Sequence, residues 1–115
     1  MSDIEIEQEP KAKGKTALRI TPDYIESVIT EECYINPPDD IRNYNELSVD
    51  GQKALAVLTI CILVLNNGFI VTGESACASP EDFDKEIGRK VARRNAVNKI
   101  WELEGYLLKQ RLAEL

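Results

Sequence analysis

The sequence predicts an α+β fold: a β-hairpin or small antiparallel sheet packed on a long C-terminal helix, with a short N-terminal helix, the whole assembled as an oligomer. Three observations carry that expectation. Two runs rich in Val, Ile, Leu and Thr meet at Asn66-Asn67-Gly68, and Asn-Gly between two β-type runs is the strongest short-range hairpin signal. After Pro80 no proline interrupts the chain, and apolar residues recur there in steps of three and four up to Leu112, the period of a helix. A third apolar stripe opens at Thr21-Pro22, a helix start in sequence form.

Taken in order, residues 1–18 form an expected disordered tail, and residues 19–115 an expected single α+β domain. The tail carries Asp3, Glu5, Glu7 and Glu9, then Lys11, Lys13 and Lys15, with little apolar content, so it cannot offset its own ordering entropy. Thr21 as N-cap, Pro22 at the first helical position, Asp23 and Glu26 near the positive helix end, and the apolar Tyr24, Ile25, Val28 and Ile29 predict a helix from about Pro22 to Glu32. INPPDDIRNYNE, from Ile35 to Glu46, has prolines and polar residues without a period, the mark of a loop. From Gln52 the texture is that of a strand, apolar on nearly every position up to Leu65, which predicts cover on both faces. The turn at Asn67-Gly68 is expected to be type I′.

Ser79-Pro80-Glu81-Asp82 offers an N-cap, a proline at N1 and a capping-box acid, predicting a helix from Pro80 to about Ala113. Such a helix, about 34 residues long, rises roughly 50 Å, whereas compact-domain scaling gives a diameter near ~35 Å. It overshoots its own domain, so it bends, with Gly105 the weak point, or packs against another subunit; a homodimer or larger oligomer is the expectation. Gly88, Ala92 and Ala96 stand at four-residue intervals and make one edge smooth enough for the hairpin or a partner helix to come close.

Composition narrows the chemistry. The chain has 115 residues, a net charge of −6 and no histidine, which removes the commonest general base and transition-metal ligand. A zinc site and a Ser-His or Cys-His pair are excluded, and no metal or cofactor is expected. Cys33, Cys61 and Cys77 have no CxxC spacing and read as reduced packing residues. The N-terminus is acidic where a secretory signal is basic, and the apolar run from Leu55 to Leu65 is too short to span a bilayer. A soluble, cytoplasmic chain without membrane contact is the expectation. Of enzyme classes, only Glu74 beside Ser75 and Cys77 offers a cluster, and nothing in it sets a nucleophile against a base; no catalysis is expected.

The feature that asks for a function is the segment Lys85 to Lys99. It carries six basic residues, Lys85, Arg89, Lys90, Arg93, Arg94 and Lys99, against one acid, Glu86. On a helix Arg89 and Arg93 share one edge and Lys90 and Arg94 the next, so like charges repel and call for a counter-charge. Acids of the chain itself are one source: Asp39, Asp40, Glu46, Asp50 and Glu74, or those of a second subunit. Phosphates of a small ligand are another. Nucleic acid is disfavoured, because a chain of this overall acidity is repelled by a polyanion. The candidate ligand-binding residues are Phe83, Arg89, Lys90, Arg93, Arg94 and Trp101: arginines to clamp phosphates, and Phe83 or Trp101, with Tyr106 a further ring, to stack a base. No GxGxxG or Walker sequence is present.

NNGFIVTGESAC, FDKEIGRKVA and KIWELEGYLLKQRL, in this order, resemble a family of small tailed-phage and prophage proteins, with GFxVxGxSAC, FDxEIG and WELEGYLL as the specific motifs. The resemblance covers about residues 55 to 112, and the N-terminal third carries no part of it. It implies a virus-encoded accessory protein acting in the host cytoplasm, and carries no catalytic assignment. In layout alone the chain is similar to Thoeris anti-defence sponge proteins, small α+β oligomers that sequester cyclic ADP-ribose-like or cyclic nucleotide signals without cleaving them. The expectation is a non-enzymatic phage protein that binds and sequesters a phosphorylated nucleotide signal. The alternatives are an interaction module for an acidic host or phage protein, or a nucleic-acid-binding phage protein.

Overall fold

The computed structural model describes residues 6–8 and 16–115, with side chains from Arg19 onward. Two short strands, β1 (Ile6–Gln8) and β2 (Thr16–Leu18), pair antiparallel with Ile6 opposite Leu18. The rest of the expected tail, residues 1–5 and 9–15, lies outside the described residues.

Helix α1 (Pro22–Ser27) starts where the sequence places it: Thr21 accepts the Tyr24 N–H at 3.1 Å through its hydroxyl, and Pro22 occupies the first helical position. Its end differs. The helix stops at Ser27 rather than Glu32, and residues Ile29–Ile35 form strand β3. The β-branched sequence Val28-Ile29-Thr30 weakens a helix, and pairing of β3 with β4, Cys33 opposite Ile62 and Ile35 opposite Ile60, decides the matter.

The expected loop holds a short helix α2 (Pro37–Asp40) and a 3-10 turn at Tyr44–Glu46. Helix α3 (Val49–Leu55) follows, so strand texture begins later than Gln52. Ser48 starts α3 by accepting the Gly51 N–H at 3.0 Å, and the Tyr44 hydroxyl donates to the Gln52 carbonyl. Strands β4 (Leu58–Leu65) and β5 (Ile70–Ala76) then form the expected hairpin. Its turn is not type I′. The Gly68 N–H donates to the Leu65 carbonyl at 2.8 Å, and the Leu65 N–H donates to the Phe69 carbonyl at 2.8 Å. Gly68 lies at φ +87°; this is the three-residue loop with glycine in the bulge position.

The antiparallel sheet has the order β3-β4-β5. Helix α4 (Lys85–Ala113) lies across one face. A 3-10 turn, Pro80–Asp82, precedes it, so the helix starts five residues later than Pro80. Ser79 spends its hydroxyl on Glu81, 2.6 Å away, whereas Asp84 accepts the Glu86 and Ile87 N–H groups at 2.9 and 3.2 Å. A carboxylate at that end also meets the positive pole of the helix. Asp84→Ala is expected to lower stability by about 1 kcal/mol, read from the shift in urea midpoint.

The buried residues of α4 are Gly88, Ala92, Ala96, Ile100 and Glu104, one ridge at four-residue intervals. The smooth edge seen in the sequence is therefore where the hairpin packs. Gly73 on β5 faces it: a Cβ there would lie 2.2 Å from both the Ala92 carbonyl oxygen and the Ala96 nitrogen. Tyr24 and Ile25 of α1, with Val28 just after it, join Cys61, Leu63, Leu65 and Val71 in the core beneath α4. The buried Glu104 accepts the Tyr24 hydroxyl at 3.1 Å.

Full cover on both faces of β4 is not found among the described residues. Thr59, Cys61, Leu63 and Leu65 are buried, but the alternate Leu58, Ile60, Ile62 and Val64 are only half-buried. The overshoot of the helix is found: 29 residues rise about 44 Å, and the chain measures 62 × 29 × 20 Å. No helix among the described residues is long and apolar enough to cross a membrane.

Candidate functional site

The cations of α4 fall into separate groups. Arg93 points back toward α1 and β3: its guanidinium donates to both Glu26 carboxylate oxygens at 2.7 and 3.0 Å, and its Nε donates to Glu32 at 2.8 Å. These charge-assisted bonds hold both carboxyls below their usual range and raise Arg93 further. The Tyr34 hydroxyl donates to the other Glu32 oxygen at 2.8 Å, and burial, then that bond, push its proton affinity up. Arg89 lies over the Tyr34 ring, 5.1 Å from its centroid, a cation–π contact. Lys85 pairs with Asp39 at 2.8 Å.

Counter-charge for part of the basic run thus comes from the chain. Asp39 is among the acids the sequence offered; Glu26 and Glu32, the main partners, are not. Lys90 and Arg94 are exposed and meet no acid among the described residues. They share the outer side of α4 with Ile87, which is 59% exposed.

The two rings proposed for stacking are far apart. Phe83 is half-buried against the start of α4, its Cε1 3.4 Å from where a Gly88 Cβ would stand. Trp101 packs against the core cluster, four turns further along the helix. One small ligand cannot touch both. The Glu74, Ser75 and Cys77 cluster is also divided: the Glu74 carboxylate accepts the Thr72 hydroxyl at 3.2 Å on the outer face, and the Cys77 thiol donates to the Ser79 carbonyl at 3.2 Å.

A ligand-sized concavity lies elsewhere. Between Phe69–Thr72 at the start of β5 and Lys99, Glu102, Leu103 and Tyr106 of α4 runs a groove of about 440 Å³, within the range of small-molecule sites. Two aromatic rings line it with much of their surface in water: Phe69 is 53% and Tyr106 74% exposed. Lys99 and Glu102 add one charge of each sign, and Thr72 a hydroxyl. Of these, Tyr106 and Lys99 stood out in the sequence. Phe69 did not, because only the packing of β5 on α4 sets it opposite them.

The sequence pattern of the phage protein (N4 Gp49/phage Sf6 gene 66) family matches residues 20–112. The chain belongs to this family. The match begins 35 residues before the Leu55 boundary expected for the phage resemblance, so α1 and β3 are part of what the family shares. That is consistent with their place in the core: Tyr24, Ile25 and Val28 complete the cluster under α4. No curated protein and no solved structure matches the chain.

Proposed function

We propose that this member of the phage family is an accessory protein of the host cytoplasm that works by binding, not by catalysis, and that its ligand is a phosphorylated nucleotide-type small molecule. Held intact, such a molecule is withdrawn from a host defence that signals through it. The observation that carries the reading is the groove between β5 and α4. Exposed aromatic rings at a concave site stack flat heterocycles, each stack contributing about 1–3 kcal/mol. Lys99 supplies a cation for a phosphate, and the Glu102 carboxylate accepts hydrogen bonds from sugar hydroxyls. Arg93, placed in the clamp by the sequence, is committed to Glu26 and Glu32, so the phosphate contact passes to Lys99.

The test is to purify the protein from cells with an active nucleotide-signalling defence, denature it by heat and analyse the supernatant by mass spectrometry. A cyclic nucleotide or ADP-ribose derivative is expected, intact and near one per groove. Tyr106→Ala should reduce the recovered ligand by about tenfold at an unchanged thermal midpoint. An empty supernatant from the parent protein, with a stoichiometric protein partner in its place, would favour an interaction module instead.

A further inference from the structure

Among the described residues nothing is packed over the outer face of the sheet, whose central residues are half-buried, or over the outer side of α4, and the chemistry of the two is complementary. Strand register arranges the face in rows. Glu31, Val64 and Ile70 form one, Cys33, Ile62 and Thr72 the next, and Ile35, Ile60 and Glu74 a third. Its middle is apolar, and carboxylates stand at two opposite corners, Glu31 and Glu74, both exposed. No cation stands in these rows. A sheet face of this kind is ordinarily buried by a helix.

Helix α4 offers the matching strip. Ile87, in the first turn, is exposed on the same side of the helix as the exposed Lys90 and Arg94. Lys85 and Arg93 of the same stretch are tied to Asp39 and Glu26, which leaves Lys90 and Arg94 as its cations without an acid partner among the described residues. Long basic side chains also lay their stems on apolar surface while their charges reach acids at its rim.

We propose that the Ile87–Lys90–Arg94 strip of one copy docks on the outer sheet face of a second, with Lys90 and Arg94 meeting Glu31 and Glu74. Donor and acceptor surfaces are different, so the contact is head-to-tail and builds a ring or an open chain rather than a two-fold dimer. The apolar area is modest, which places the association among weak interfaces. Ile70 and Thr72 of this face also line the groove between β5 and α4, so the two surfaces share an edge; the docking variants leave Lys99 and Tyr106 untouched, which keeps the two tests distinguishable.

The test is sedimentation of the full chain over a concentration series, with circular dichroism to confirm the fold. The parent's mass is expected to rise with concentration beyond one copy. Lys90→Glu/Arg94→Glu removes the donor and Glu31→Lys/Glu74→Lys the acceptor, so each variant alone should stay monomeric. Charge reversal on both sides restores opposite signs. Each variant alone meets only like charge on copies of itself and keeps one surface that fits the parent, and the two variants mixed together bring opposite charges to both contacts and should assemble. The parent mixed with either variant should therefore give capped, shorter assemblies, and the quadruple variant should assemble as the parent does. Alkylation of Cys33, exposed in the monomer, should slow as the parent assembles. A parent that stays monomeric at about millimolar concentration, a dimer that survives in both variants, or a quadruple variant that remains monomeric would overturn the proposal. So would a monomer that retains nucleic acid through Lys90 and Arg94.

Discussion

Gly73→Ala is expected to lower stability by more than about 3 kcal/mol, at or above the upper end for an overpacked core. The added methyl would sit 2.2 Å from backbone atoms of Ala92 and Ala96. Neither atom can rotate away, so the whole of α4 must lift from β5. Lifting it opens the contacts of Ala92, Ala96 and Ile100, all fully buried. A domain of this size has only about 5–15 kcal/mol in total, and urea unfolding should show the loss as a midpoint shift or as loss of the cooperative transition. Gly105→Ala is the control: no atom lies within 4 Å of its Cβ position, and alanine is the better helix former by about 1 kcal/mol. It should be neutral or stabilising.

Arg93→Ala is the second large effect. It leaves Glu26 and Glu32 facing each other across an empty site. Part of each is in water, with side chains 54% and 36% exposed, so the expected loss is about 1–2 kcal/mol rather than that of a buried pair. The pH dependence identifies the cause. Folded, both carboxyls titrate below their ordinary value of 4.5. Their pairing with Arg93 therefore stabilises fully above that value and is lost as the pH falls through the lowered folded values. The thermal midpoint of the parent should hold above about pH 5 and drop below it. In Arg93→Ala this part of the drop should vanish, because protonation then relieves repulsion. Arg94→Ala, with no acid beside it among the described residues, should stay within about 0.5 kcal/mol of the parent.

What was legible in the sequence was local. Thr21-Pro22 fixed the start of α1 because a cap and a proline act within one turn, and Asn67-Gly68 marked the hairpin because only a few residues favour a left-handed backbone. The four-residue spacing of Gly88, Ala92 and Ala96 announced a close packing ridge. Choices settled by distant partners were not legible. Residues Ile29–Glu32 could be read as the end of a helix until pairing with β4 made them the start of β3. Ser79 and Asp84 are both acceptable caps; the Ser79 hydroxyl bonds Glu81, and Asp84 takes the Glu86 and Ile87 N–H groups.

The same division runs through the site. The surplus of positive charge on α4 is plain in the sequence, but its answer is not: Glu26 is 67 residues from Arg93 and Glu32 is 61. No spacing rule connects them, and only the fold of α1 and β3 over α4 does. Likewise Phe69 reads as a hairpin residue until α4 sets Lys99 and Tyr106 beside it. The basic run is thus partly scaffold. Arg93, Arg89 and Lys85 fasten the helix to α1, β3 and α2, while Lys99 faces the groove and Lys90 and Arg94 face outward.

The most direct test of the central claim is native mass spectrometry of the protein purified from cells with an active nucleotide-signalling defence, compared with Lys99→Glu/Tyr106→Ala prepared in the same way. The expected result is the chain mass plus one intact nucleotide-type ligand for the parent, and the bare chain for the variant at equal stability. A parent that is bare, or a ligand that remains on the variant and leaves only on Arg94→Glu, would contradict a binding site in the groove between β5 and α4.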